Sequence, residues 1–317
     1  MDYRRALLNG LKVIPSSSSI KSRRPVPVSM RNWLDLPPEV IVSILQRVGT
    51  SDVLLNAKFV CKSWHTLCKD PHVWQVIELR RDVLSDKIRE IKEFPAGACI
   101  YGKAGKILQK MAMQVVDLSS RQSSKLRRLR LEECSVWYDD GKLQDDDNIH
   151  YDGLSQMLRY LPLLEDLQLP YTRICEEGIK NAGRCCPHLK SFTLNQRTFC
   201  FPWVREIDWQ AIAIAKYMHG LRSLQLFGNR MTVVGLMAIL DNCRYLQYLD
   251  LRQCFNLCEV LRKKTEPKTK YGQRQHRKVL FEYSDLKRRI DRQIKDVRFP
   301  WDSTEDYEFD AEIYDSD

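Results

Sequence analysis

The feature that most constrains this chain is a leucine pattern, L-x-x-L-x-L, that keeps returning along it. It occurs at Leu126/Leu129/Leu131, Leu164/Leu167/Leu169, Leu189/Phe192/Leu194, Leu221/Leu224/Leu226 and Leu246/Leu249/Leu251, with a weaker copy at Ile294/Val297/Phe299. The spacings from start to start are 38, 25, 32, 25 and 48 residues. Helical stretches precede several copies: Gly178 to Cys185, Trp209 to Met218 and Val233 to Leu240. Each strand-helix unit has an apolar face that it cannot bury alone, and stacking of neighbours supplies the core. Adjacent strands lie about 4.8 Å apart, so six form a strip roughly 24 Å wide. Side chains alternate faces along a strand. With the leucines inward, the residues between them form a second, concave face: Arg128, Arg130, Asp166, Gln168, Ser191, Thr193, Ser223, Gln225, Tyr248, Asp250, Asp296 and Arg298. Phe227 and Arg252, one step past the last leucine of their copies, continue that face. Taken together, these are the best candidate for a recognition surface.

Composition removes other classes. Hydrophobic residues are 44% of 317, enough for a core, which excludes a wholly disordered chain and a small disulfide-stapled one. No stretch approaches the run of about 20 apolar residues that a membrane span needs, so no membrane association is expected. Eleven cysteines, an odd number in a long chain, argue against a disulfide framework and for a reducing compartment, cytoplasmic and/or nuclear. Cys134, Cys186, Cys243 and Cys254 flank the strands and are expected to pack inside. Cys61, His65, Cys68 and His72 have the residue types of a zinc site. On a helix, however, they would form a stripe about 16 Å long that cannot close on one ion. No metal and no cofactor are expected.

The net charge of +10 is unevenly placed. Residues 1–31 carry +6 and 262–298 carry +9, whereas 299–317 carry −8 with no basic residue. The 230 residues between the arm and the basic stretch contribute only +3. The excess belongs to a disordered basic arm (1–31) and a basic insertion (262–292), with an acidic tail that could mask the insertion. A nucleic-acid-binding protein working through 262–292 is the rival reading; it leaves the rest of the chain unexplained, and nucleic acid is not the expected partner.

Residues 32–80 read as a compact helical unit. Asp35-Leu36-Pro37-Pro38-Glu39 is a helix-start signal, because proline suits the first turn and an early Glu complements the dipole. Ile41, Ile44, Leu45 and Val48 follow at helical spacing, and Gly49 ends the helix. Ser51-Asp52 is expected to cap a second helix with Val53, Leu54 and Leu55. A third, around Val60 to Lys69, puts Val60, Trp64 and Leu67 on one side, and Asp70-Pro71 breaks it before Trp74 in an extended piece. Three short helices bury too little to stand alone, so a partner is expected.

Leu36-Pro37-x-Glu39, Ile44-Leu45, Val60-Cys61-Lys62-x-Trp64, Asp70-Pro71 and Trp74 resemble an F-box from end to end. Two of the leucine pattern's spacings, both 25, fall in the range of about 20–29 residues of leucine-rich repeats and the others read as repeats with insertions, while its cysteine positions are similar to the cysteine-containing class of those repeats. The whole chain resembles the plant F-box/LRR family over roughly 30–262 and 293–312. The resemblance implies an α/β fold: an N-terminal three-helix F-box, then a short leucine-rich-repeat solenoid of parallel strands with outer helices. It implies the organisation 32–80 F-box, 81–125 helical connector or capping repeat, 126–261 repeats with insertions, and 293–317 last strand and acidic tail. It further implies a non-catalytic substrate-recognition subunit of an SCF-type (Skp-cullin-F-box) ubiquitin ligase. Leu36, Pro37, Glu39, Ile44, Leu45, Val48, Val60, Cys61 and Trp64 would face or support the Skp-type adaptor, and through it the cullin ligase. The target face would draw on Arg128, Arg130, Asp166, Gln168, Thr193, Gln225, Phe227, Tyr248, Asp250 and Arg252.

Other motifs offer less. Asp139, Asp140, Asp145, Asp146 and Asp147 make an acidic loop without the glycine turn and distal Glu of a calcium hand. Phe199, Phe201, Trp203 and Trp209 are either a partner-binding cluster or a plug. Gly97-x-x-x-x-Gly102-Lys103-Ala104 misses a phosphate-binding loop, because Ala104 has no hydroxyl for magnesium. No nucleophile elbow, zinc-protease helix or kinase set occurs, so no catalytic residue is assigned.

Overall fold

The computed structural model describes residues 33–80, 125–132, 154, 157–172, 174–196, 207–257 and 286–308. The 1–31 arm, the 139–150 acidic loop, Phe199, Phe201, Trp203, Cys134, the Gly97 motif and most of the basic insertion lie outside them. The chain divides into two units, Met1–Pro37 and Pro38–Asp317. In the first, Trp33–Asp35 forms a 3-10 turn, closed by Leu36 N–H on the Trp33 carbonyl at 3.3 Å.

The second unit begins with helix α1 (Pro38–Val48), which starts on its proline and buries Ile41 and Leu45. Gly49, at φ 94°, ends it in a conformation that side chains disfavour. Helix α2 (Thr50–Leu55) follows directly. Ser51 and Asp52 lie inside its first turn rather than capping it, and Gly49 occupies the cap position without a side chain to offer. Helix α3 (Lys62–Leu67) begins two residues after Val60 because the Cys61 thiol takes the cap role, accepting from Trp64 N–H at 3.4 Å. Trp74 does not sit in an extended piece. It closes a 3-10 turn (Pro71–Trp74), is 1% exposed, and donates its indole N–H to the Cys68 carbonyl at 2.8 Å.

A parallel sheet takes over at once. Strands β1 (Val76–Leu79), β2 (Arg128–Leu131), β3 (Asp166–Gln168), β4 (Ser191–Thr193), β5 (Ser223–Gln225), β6 (Tyr248–Asp250) and β7 (Asp296–Arg298) pair in sequence order. The six leucine copies account for β2 to β7. β1 carries no copy and comes from within the segment read as F-box, where Glu78 N–H donates to Thr50 Oγ1 at 3.0 Å. The register aligns Ile77, Leu129, Leu167, Phe192, Leu224, Leu249 and Val297 in one column; the first six are fully buried.

Parallel strands need crossovers, and helices supply them. Helix α4 (Glu176–Cys185) joins β3 to β4, α5 (Trp209–Tyr217) joins β4 to β5, and α6 (Val233–Asn242) joins β5 to β6. Small residues set their spacing: a Cβ at Gly183 would stand 2.2 Å from the Tyr217 carbonyl oxygen. Asp208 ties α5 to α6 by accepting from Thr232 N–H, Thr232 O–H and Gly235 N–H at 2.8 to 3.1 Å. Residues 286–293 are helical and bury Leu286 and Ile290, so the last repeat's helix reaches into the segment read as basic insertion.

The interior cysteines act as a ladder of side-chain caps. Cys186, Cys243 and Cys254 direct their thiols to the carbonyls of Leu158, Met218 and Leu226, one repeat earlier, at 3.6, 3.6 and 3.1 Å. Burial pushes the Cys186 and Cys243 thiols up to about 12. Thiolate is the reactive form, so iodoacetamide at pH 8 should leave both unmodified in the native chain while labelling the half-buried Cys61 and Cys175. Peptide mass mapping checks this; alkylation of Cys243 at the rate of Cys175 would contradict it.

Candidate binding surfaces

Two surfaces emerge. The first belongs to the helical unit. Leu45 is core, and Ile44, Cys61 and Trp64 are half-buried. Glu39, Val48 and Val60 are exposed, together with Val40 and Phe59, and Val60 and Phe59 reach 62% and 71%. Among the described residues the interior of this unit is filled by Ile41, Leu45, Val53, Leu54 and Trp74, which leaves these side chains outside its core. Isolated exposed apolar residues are ordinary, but several within about 20 residues mark an interaction surface. Pro37 and Leu36 belong to the other unit. Of the residues with zinc-ligand chemistry, Cys61 caps α3, Cys68 is buried, and His72 pairs with Asp70 at 2.9 Å.

The second surface is the concave face of the sheet. Alternation holds: Arg128, Asp166, Ser191, Ser223, Tyr248 and Asp296 form one register column, and Arg130, Gln168, Thr193, Gln225, Asp250 and Arg298 another. The expectation of a face open to solvent needs correction. Arg130, Thr193, Phe227, Asp250 and Arg252 are buried, at 5% exposure or less. The cause is tertiary. After β7 the chain turns and runs back across the face as a strap, residues 303–308.

The strap is held by named contacts. The Tyr307 ring stacks on Phe227 with centroids 3.9 Å apart and planes 14° from parallel, and the Arg252 guanidinium lies 5.3 Å from the same ring. Arg252 donates to the Ser303 carbonyl at 2.9 Å and to Asp306 Oδ1 at 2.5 Å. Arg298 donates to the other Asp306 oxygen at 2.8 Å, and Arg130 to Glu308 at 2.6 Å. Asp306 and Glu308 of the acidic tail are therefore engaged with concave-face arginines; the expected masking of the basic insertion falls mostly on residues outside those described. From Arg298 to Glu308 the chain returns from β7 to β2, five strand spacings or about 24 Å, within the roughly 33 Å that ten residues can reach.

Beneath the strap, Asp250 organises the face. Its oxygens accept from Arg252 Nε and Nη2 at 3.1 and 2.8 Å, a two-pronged match between carboxylate and guanidinium. Burial is the largest influence and opposes charge on Arg252, but the hydrogen bonds and opposite charges of Asp250 and Asp306 together outweigh it and hold its pKa above the ordinary value. Tyr248 is pushed up to about 12, first by burial and then by the neighbouring Asp250 charge. Arg128, Asp166 and Gln168 form a separate cluster, with Asp166 Oδ2 accepting from both neighbours at 2.9 Å.

Sequence reasoning named the arginines and Phe227 but missed their partners Asp306, Tyr307 and Glu308. The usable signal was complementarity: an acidic stretch with a tyrosine follows a face rich in arginine.

Comparison with known proteins agrees with both halves. An F-box domain model matches residues 33–76. Relatives from Arabidopsis thaliana include F-box/LRR-repeat protein 23, 35% identical over 307 residues, which covers 92% of this chain and 59% of that protein. F-box protein SKIP19 is 35% identical over 280 residues, 87% of this chain and 79% of its own length. F-box/LRR-repeat protein 22 is 33% identical over 301 residues, 88% and 80% respectively. The chain thus spans less than two thirds of the first of these relatives and about four fifths of the other two.

Proposed function

Because the chain belongs to the F-box/leucine-rich-repeat proteins, whose members are in general non-catalytic substrate adaptors of SCF-type ubiquitin ligases, we propose that it is the substrate-recognition subunit of such a complex. The helical unit docks on a Skp-type adaptor and so on the cullin ligase, and the concave face receives a target protein. The observation that carries the reading is the apolar side chains that the helical unit leaves exposed over the span matched by the F-box model. The chain does no bond chemistry in this scheme. One end holds the ligase and the other the target, which raises the effective concentration of target lysines at the ubiquitin carrier. Cytoplasm and/or nucleus is the setting we propose.

Val48 and Val60 are exposed, so charging them leaves the core intact. Val48→Asp/Val60→Asp should melt within about 2 °C of the wild type, as surface substitutions usually do. It should also lose at least about tenfold in capture by a purified Skp-type adaptor. Wild-type chain that fails to bind the adaptor, or a double variant that binds as well as wild type, would remove the basis of the reading.

A further inference from the structure

The strap lies on the face that the proposed function assigns to the target, and it has the chemistry of a ligand. It places one aromatic ring on Phe227 and one carboxylate between Arg252 and Arg298, and it reaches a second carboxylate to Arg130. We infer that Ser303–Glu308 is an intramolecular competitor for the concave face, and that the partner it competes with is a peptide segment presenting a tyrosine flanked by carboxylates. This inference rests on the reading of that face as the target site.

Two observations support displacement rather than permanent closure. The strap's carboxylates are mostly in solvent, with Asp306 51% and Glu308 66% exposed, and exposed ion pairs contribute little to stability. Its one aromatic ring among the described residues, Tyr307, is half-buried and stacks on Phe227. The face also has hydrogen-bonding capacity to spare: Asp166 Oδ1 and Asn195 Nδ2 are buried without a partner among the described residues. Asn195 is in direct contact with the anchor's platform, since its Oδ1 accepts the Phe227 N–H at 3.2 Å. A longer peptide could match the strap's contacts and add others along β3 and β4.

The opposing charges make the partner's chemistry specific. An uncharged or basic segment in the strap's place would give up the carboxylates that Asp306 and Glu308 set against Arg252 and Arg130, leaving Asp250 and Glu132 to hold the two guanidinium groups. A segment with charge but no ring would leave Phe227, now 2% exposed, open to water.

Tethering decides the size of the effect. A segment joined by a short linker competes at about millimolar effective concentration. Releasing it should therefore raise the affinity for a free peptide by at least about tenfold. The test uses the full chain, wild type and Asp306→Ala/Tyr307→Ala, with a fluorescent synthetic peptide of residues 301–308 as the probe, read by anisotropy. The released variant should bind at least about tenfold more tightly than wild type, and a scrambled peptide of the same composition should bind neither. Adding Phe227→Ala to the released variant should abolish binding.

Asp306→Lys/Glu308→Lys, which alters only exposed carboxylates, should release the strap as well and so covers a failure of the first variant to fold. Tyr307→Phe keeps the stacked ring but loses the hydroxyl's hydrogen bond with Tyr171, and should fall between wild type and the released chain. Equal affinity of wild type and released chains, or equal binding of the scrambled peptide, would overturn the inference. No adaptor is present in this assay. Failure here leaves adaptor capture standing, and failed adaptor capture leaves the peptide result standing.

Discussion

Replacing Asp250 with alanine should lower the melting temperature by about 6–20 °C, an effect far larger than its single-residue size suggests. The pair it forms with Arg252 is almost wholly buried, with side-chain exposures of 1% and 4%. Removing one member of a buried ion pair strands the other, at a cost of about 3–5 kcal/mol. In a domain of this size each kcal/mol moves the melting point by about 2–4 °C. Arg252 retains Asp306, but that carboxylate is half in solvent and lies on the strap. Asp250→Ala/Arg252→Met, which removes both charges and keeps volume on one side, should recover more than half of the loss. Calorimetry of the three chains decides it. A shift under about 2 °C for Asp250→Ala, or no recovery in the double variant, would show that the pair does not hold the face together.

The second large effect sits at the other end of the sheet. Trp74→Ala removes the largest fully buried side chain of the helical unit and the indole hydrogen bond to Cys68. Truncating a buried aromatic costs about 3–5 kcal/mol. In a solenoid each unit touches only its neighbours, so damage propagates poorly along the stack. Hydrogen exchange should therefore show faster exchange of the α1, β1 and β2 amides, with β4, β5 and β6 protected as in the wild type. Uniform loss of protection across all strands would mean that the chain folds as one cooperative block. Adaptor capture should fall together with the α1 protection, because the exposed residues of the helical unit depend on the core beneath them.

These cases show how far sequence carried. Trp74 was recognisable as an anchor, but its local conformation was not. Proline at 71 marked the break, whereas the 3-10 turn that brings the indole onto the Cys68 carbonyl follows from packing against α1. The start of α2 was misplaced for a similar reason: Ser51 and Asp52 have capping chemistry, yet Gly49 takes the cap position two residues before Ser51 and so places them inside the helix. β1 has no leucine repeat at all. It joins the sheet because β2 offers it an edge and Thr50 holds its amide, and both are tertiary facts.

The leucine spacing by itself determined the repeat frame, the inward columns and the identity of the outward residues. Its physical basis is the two-residue alternation of a strand combined with faces that only stacking can bury. The helical unit's chemistry was equally legible from the placement of its prolines, glycine and apolar residues. What only the tertiary structure decided is which outward residues see solvent. Arg130, Phe227, Asp250 and Arg252 occupy the predicted columns, yet they are buried, because a segment up to 178 residues away in the chain returns to cover them. Periodicity reports on neighbours along a strand and on the strand beside it. A crossing strap obeys no period, and its position is set by one stacked ring and a few opposing charges that meet only once the chain has folded.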